Sequence, residues 1–294
     1  MRSTGTTRPI QELDTSSAHV GVVGELWRYP VKSMRGERRR ELLVTERGAL
    51  GDRAWALREQ ASGRIASAKK FPRLLEFRAA YEVEPTLERP GVVRIEAPGG
   101  RVLYPEEDGA SEAISEFLGK PVRLESQAGS DEKTGIDPAT VFAGVPVSEM
   151  KPEWTPESMP DYFQLKRDTF FEIGSVFILA SGSVDHLHAL QGGTARIDSR
   201  RFRPNVYVHT APESDGFVED GWIGGALTLG ESLVLGDLQP TLWCVTSTLA
   251  QEDLPRDASI LRTTAQHHGG CLGVYASVVG EGLVAVGDPV LLVP

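Results

Sequence analysis

The sequence predicts a mainly β chain with some helix, an α+β protein whose first half suits a β-barrel-like domain and whose second half is again β-rich. Three observations predict this. Short apolar runs of about four to eight residues recur from end to end, the length and pattern of strands. Gly, Pro or charged residues bound them, in a chain that holds 31 glycines and 19 prolines. Only three stretches carry helical spacing with start and stop signals. At 294 residues the chain also exceeds the usual size of one compact domain.

Residues 1–18 are polar, rich in Ser and Thr and without period, and read as a flexible tail. Strands are expected at Gly21–Tyr29, Glu41–Thr45, Arg53–Arg58, Leu75–Glu82 and Val92–Ala97, a spacing that suits an antiparallel barrel or meander. Glu112–Leu118 fits a short helix with Ser111 as N-cap and Gly119 as its stop, leading into a strand at Val122–Glu125. The first domain is therefore expected at 19–135 and the second at 136–294. Between them, Ala128–Pro160 is rich in Gly, Pro, Ser and acids and reads as a junction or a long site loop. The second domain should carry strands at Phe170–Leu179, Asn205–Thr210, Ala226–Leu229, Leu233–Leu235, Leu242–Ser247, Tyr275–Val279 and Pro289–Leu292. Its helices are expected at Val184–Leu190 and about Ser259–Gln266. No repeat of fixed period is present.

Charge and cysteine count narrow the function. With 31 Lys plus Arg against 41 Asp plus Glu, the net charge of -10 argues against nonspecific binding to nucleic acid or anionic membrane. No apolar stretch has the length of a membrane span or the shape of a secretory signal, so a cytoplasmic protein is expected. Two cysteines, Cys244 and Cys271, cannot supply a four-thiolate zinc or iron–sulfur site. The P-loop, HExxH, EF-hand, GxSxG and dinucleotide patterns are absent. His267, His268 and Cys271 lie close together, but three groups in one Gly-flanked loop make a weak zinc signal, and a polar loop is the better reading. The run Arg35, Arg38, Arg39, Arg40 has the charge to dock an acidic partner or substrate tail, with a solvated turn face as the default.

Four segments supply what an anionic, sulfur-bearing cofactor needs. Tyr29-Pro30-Val31-Lys32-Ser33 offers an ammonium and a hydroxyl beside a proline-set turn. Gly51-Asp52-Arg53 offers a turn and a guanidinium suited to paired phosphate bonds. Phe202-Arg203-Pro204-Asn205 brings a cation and an amide to the rigid entry of a strand. Cys244 heads a β-branched, polar stretch as a soft ligand. Singly, each has a plain structural reading as a surface charge, an ion-pair partner or a small buried hydrophobe.

Together and in this order, with LGVYA and GDPV near the C-terminus, they make the chain resemble the MOSC family. More narrowly, it is similar to the branch with an N-terminal MOSC β-barrel domain, which includes the mitochondrial amidoxime-reducing components and their bacterial relatives. The resemblance runs from about Val20 to Pro294 and implies a second, MOSC β-barrel domain after the N-terminal one, together with a molybdenum cofactor, a molybdopterin whose metal is held by its dithiolene and by one protein cysteine. Cys244 matches that metal ligand and is implied as the catalytic residue. Lys32, Ser33 and Arg53 match positions that hold the pterin phosphate, and Arg203 and Asn205 match contacts to the pterin or its phosphate. Ser181, Gly182 and Ser183 resemble a small, polar helix start that adds donors, and Tyr275 matches an aromatic position lining the site. The family usually has Arg directly before the cysteine; here Trp243 stands there, an indole expected to face the cofactor, narrowing the substrate mouth or stacking on a flat group.

The implied activity is a molybdenum-dependent oxidoreductase that reduces N-hydroxylated or N-oxide substrates. Electrons would come from a separate protein of iron–sulfur, flavin or haem type. Two other readings are a sulfur-transfer or cofactor-carrier protein and a degenerate MOSC scaffold without metal. A pyridoxal phosphate association also comes with the family, although no pyridoxal-phosphate domain is legible in the chain.

Overall fold

The computed structural model describes residues 17–126, 170, 174–192, 196–212 and 214–294. The expected junction Ala128–Pro160 and nearly all of the expected tail lie outside these residues. In chain order the strands are β1 (Ala18–Arg28), β2 (Glu37–Arg39), β3 (Glu41–Thr45), β4 (Gly48–Ala49), β5 (Trp55–Glu59), β6 (Arg78–Val83), β7 (Val92–Glu96) and β8 (Val102–Leu103). They continue with β9 (Val122–Ser126), β10 (Val176–Ala180), β11 (Val206–His209), β12 (Ala226–Leu229), β13 (Leu233–Leu242), β14 (Cys271–Gly280), β15 (Gly282–Ala285) and β16 (Pro289–Val293). The helices are α1 (Ala110–Leu118), α2 (Ser181–Gln191) and α3 (Ser259–His268). None of the described helices is long and apolar enough to cross a membrane.

Seven strands close into a barrel in the order β11, β10, β14, β13, β12, β16, β1, with β1 pairing back to β11. The ring is antiparallel except at β10 and β11, which run parallel with Ile178 opposite Val206. A parallel pair needs a crossover, and α2 occupies that connection. β1 is the closing strand. Its register sets Val22 opposite His209 on one edge and Ala18 opposite Leu292 on the other. Irregularities at Val23/Glu25 and His19/Gly21 give it the bend that closure requires. Val23, Leu26, Ile178, Leu227, Leu235 and Val274 belong to the buried apolar core of this barrel.

A second core lies in the first half. The β5–β9 pair, the β6–β7–β8 meander and α1 surround Leu57, Leu74, Phe77, Ile95 and Ile114, each at most 1% exposed. The two halves interlock, because β1 belongs to the ring of the second half and β3 pairs with β15, with Leu43 opposite Leu283.

Several local expectations change. α1 begins at Ala110 with Gly109 at its cap in a left-handed conformation, so Ser111 is not the cap. Its hydroxyl instead accepts the Leu124 N–H at 3.0 Å and ties α1 to β9. Pro72 near the start of Pro72–Glu76 favours a tight 3₁₀ turn, which replaces the first residues of the strand expected at Leu75–Glu82. The short strand expected at Leu233–Leu235 runs on to Leu242, absorbing Pro240 through irregular pairing with β14. The strand expected at Leu242–Ser247 stops at its first residue, and Val245–Thr248 form a 3₁₀ turn. The Ser247 hydroxyl donates to Cys244 O and that of Thr248 to Val245 O, local bonds that compete with a strand ladder.

Candidate cofactor site

Three of the four segments singled out in the sequence are tied together by one carboxylate. Asp52, whose side chain is fully buried, accepts the Tyr29 N–H at 2.7 Å and the Asn205 amide at 2.9 Å, and pairs with the Arg53 guanidinium. Backbone bonds reinforce the join. Arg53 N–H donates to Tyr29 O, Lys32 N–H to Trp55 O and Trp55 N–H to Pro30 O, at 2.8, 2.8 and 3.0 Å. A buried carboxylate with several donors fixes its neighbours strongly, since losing any one partner leaves charge unsatisfied.

Around this join the backbone is unusual. Among the described residues five non-glycine positions have positive φ, and three of them are Ser33 (68°), Arg53 (48°) and Arg203 (55°). Left-handed backbone disfavours a residue with a Cβ and persists where the surroundings enforce it, commonly at functional sites. Gly51, also left-handed at 81°, has no room for a side chain, because a Cβ there would meet the Tyr81 hydroxyl at 2.7 Å. Two of the strained residues converge on one ring: the guanidinium of Arg203 lies 4.2 Å and that of Arg53 4.8 Å from the centre of Tyr29. Burial raises the Tyr29 pKa and the two arginines oppose this only in part, so the phenol keeps its proton and donates to Pro204 O at 3.2 Å. For Arg53 the burial penalty is outweighed by Asp52, Tyr29 and Tyr275, which together raise its pKa. Lys32 is buried and donates to Phe170 O at 2.9 Å.

The residue before Cys244 packs on the residue before Arg203. Trp243 packs edge-on against Phe202 at 4.9 Å between ring centres, which sets Cys244 and Arg203 one residue beyond the same aromatic contact. Cys244 is a free, half-buried thiol that donates to the Thr246 hydroxyl at 3.3 Å. Trp243 itself corrects the expectation of an indole facing the site. It lies in the core between Phe177 and Phe202, and its N–H donates to Leu272 O at 2.7 Å. A large apolar ring with one donor fits a core position that offers a buried carbonyl.

The other residues expected at the site have partners within the fold. Both ends of the Asn205 amide are engaged, its oxygen accepting the Phe177 N–H at 3.1 Å and its NH₂ donating to Asp52 and Trp27 O. Ser183 is wholly buried, donating to Glu219 and accepting the Val218 N–H. Ser181 and Gly182 both bond Thr210 at the end of β11, where the parallel pairing with β10 places it beside the helix start. Tyr275 is half-buried on β14, against Phe177. His268 bonds Cys271 O and Asp220 while stacking on Phe217, the surroundings of a structural histidine.

Sequence reasoning did not assign roles to Asp52, Tyr29, Thr210 and Glu219. Asp52 and Tyr29 stand inside quoted motifs, so their positions carried a signal. Glu219 is fully buried, and its desolvation outweighs the bonds from Ser183 and Ala180 and raises its pKa to about 7. Nothing in Val218-Glu219-Asp220 distinguishes it from a surface acid.

Two family patterns match the chain, the MOSC N-terminal beta barrel domain over residues 20–133 and the MOSC domain over residues 170–291. No curated protein matches it. Among solved structures, the YUAD protein from Bacillus subtilis is 12% identical, with 94% of this chain and 97% of that one covered at a TM-score of 0.44. YiiM from Geobacillus stearothermophilus is 17% identical over 41% of this chain and 55% of its own, with a TM-score of 0.29. With both halves matched by their own patterns, the chain belongs to the MOSC family, in the arrangement that carries an N-terminal beta barrel domain.

Proposed function

We propose that the chain is a molybdenum-cofactor-dependent oxidoreductase that reduces N-hydroxylated or N-oxide substrates, with electrons from a separate iron–sulfur, flavin or haem protein. MOSC domains occur in proteins associated with the molybdenum cofactor, which is the family ground for this reading. The observation that carries it is the convergence of the strained motif residues Arg53 and Arg203 on Tyr29, in a chain whose Cys244 is a free, half-buried thiol.

The donor set fits the group. Lys32, Arg53 and Arg203 supply three cations and Ser33 a hydroxyl for a phosphate, and Cys244 supplies a soft sulfur donor. When bound, the cofactor supplies the two-electron change by which an N–OH loses its oxygen as water. The remaining contributions belong to the chain. Asp52 holds the phosphate-side segments in one register, and the neutral Tyr29 phenol supports the Arg53 and Arg203 guanidinia without adding charge. Tyr275 lines the approach from β14. Because Trp243 is committed to the core, the mouth beside Cys244 is left to smaller side chains such as Thr246.

The test is turnover. Protein made in a cofactor-competent host and reduced chemically should convert an aryl amidoxime to the amidine, and Cys244→Ser should bring the rate to background. Cofactor-loaded protein that reduces no amidoxime, hydroxylamine or N-oxide would contradict the activity and favour a carrier role.

A further inference from the structure

The arginine run after the first motif leads to a second site. A narrow cleft of about 20 Å³, open to solvent, lies where the two matched modules meet. Trp27, Tyr29, Arg35 and Arg78 come from the first module, and Arg200, Arg203 and Glu252 from the second. Four guanidinia thus line one cleft in a chain whose net charge is -10.

Among the described residues Glu252 is the only carboxylate lining the cleft, and three arginines share it. Arg35 lies 2.8 Å from it, Arg200 3.1 Å and Arg78 3.8 Å. Arg200 has further partners in Asp198 and Asp253, whereas no other ion pair is formed by Arg35 or Arg78 among the described residues. The Nε of Arg35 is buried with no hydrogen-bond partner among the described residues, a donor left without the acceptor that its burial calls for. Glu252 is poorly seated for a permanent structural role. It is exposed, and it sits at φ 51° on the tip of a tight turn closed by paired bonds between Gln251 and Leu254. A carboxylate on a strained, exposed turn, inserted between Arg35 and Arg78, which form no other ion pair among the described residues, occupies the position an external anion would take. The walls of Trp27 and Tyr29 add flat apolar surface.

We propose that this cleft is a binding site for a small oxyanion-bearing ligand, a phosphate or carboxylate, which seats among Arg35, Arg78 and Arg200 in place of the Glu252 carboxylate. Cys244 does not line this cleft, which adjoins the cofactor cradle through Tyr29 and Arg203, and the proposal does not rest on the activity proposed above. Pockets where two modules meet commonly hold ligands, and here the charge assigns the ligand class.

Calorimetry and Trp fluorescence with phenyl phosphate and with inorganic phosphate test this. Removing the competing carboxylate in Glu252→Gln should tighten binding about tenfold, whereas Arg35→Met and Arg78→Gln should each weaken it about tenfold. Thermal melting checks that each variant is folded, and the exposed Arg78 makes its variant the safer one to read. Equal affinity for the two probes identifies a free oxyanion as the ligand, and preference for phenyl phosphate identifies one carried on a flat ring. Absence of binding to both wild type and Glu252→Gln, or Glu252→Gln binding no more tightly than wild type, would overturn the proposal.

Discussion

At the scale of single residues, the chemistry-bearing side chains were more legible than their supports. Lys32, Ser33, Arg53, Arg203 and Cys244 stand in short motifs whose residue types suit the proposed phosphate and metal chemistry. The structure adds that three of them hold left-handed backbone. Asn205 and Ser183 were legible as polar motif residues but not as buried partners, since sequence does not say which acceptor a polar group will meet. Trp243 was misread for the same reason: its identity was plain, its direction was not. Glu219 carries a residue-scale prediction. Its folded pKa of about 7 lies above the ordinary 4.5, so the folded state binds the proton more tightly than the unfolded chain. The stability associated with this group is therefore full below about pH 4.5 and falls as pH rises through 7. Between about pH 4.5 and 8 the wild type should lose about 3 kcal/mol relative to Glu219→Gln, read from denaturant midpoints across pH. Parallel profiles for the two proteins would show that the carboxyl stays charged in the folded state.

At the scale of elements, strands with alternating or wholly apolar patterns were found where the sequence placed them, as at Glu41–Thr45 and Ala226–Leu229. Errors fell where local chemistry competed with the ladder. The hydroxyls of Ser247 and Thr248 turn the chain after Leu242, and Pro72 winds a 3₁₀ turn ahead of β6. Pairs as short as β4 and β8, two residues each, have no period to read. Gly273 on β14 shows how tightly the barrel seams are packed. It sits at φ 75°, and a Cβ there would lie 2.7 Å from Ile178 O on β10. Because the clash is with backbone, Gly273→Ala should destabilise the protein by about 2 kcal/mol or more, measured by chemical denaturation. A loss under about 0.5 kcal/mol, the range of a neutral surface change, would mean that the seam has slack.

At the scale of the whole molecule, the class of fold was legible and the interlocking was not. Strand patterns show faces and lengths, but pairing between residues far apart in sequence, such as β1 with β11 and β16, leaves no local trace. That pairing has a consequence for the second half. Without β1 the ring is open between β11 and β16, exposing two unpaired edges and the side of the core that Val23 and Leu26 cover. Residues 170–294 made alone should therefore be unfolded or aggregated by circular dichroism, and a fragment that folds with native-like dispersion would contradict the closure described here. The same closure brings Tyr29, at the end of β1, to Arg203 of the second half, so the cradle is a product of the fold as a whole. Its occupant is the central question. Quantifying molybdenum and pterin in purified wild type and Cys244→Ser, made together in a cofactor-competent host, tests the account most directly. It predicts about one molybdenum per chain for wild type and loss of the metal–thiolate spectroscopic signature in the variant. Well-folded wild type that carries neither molybdenum nor pterin would contradict it.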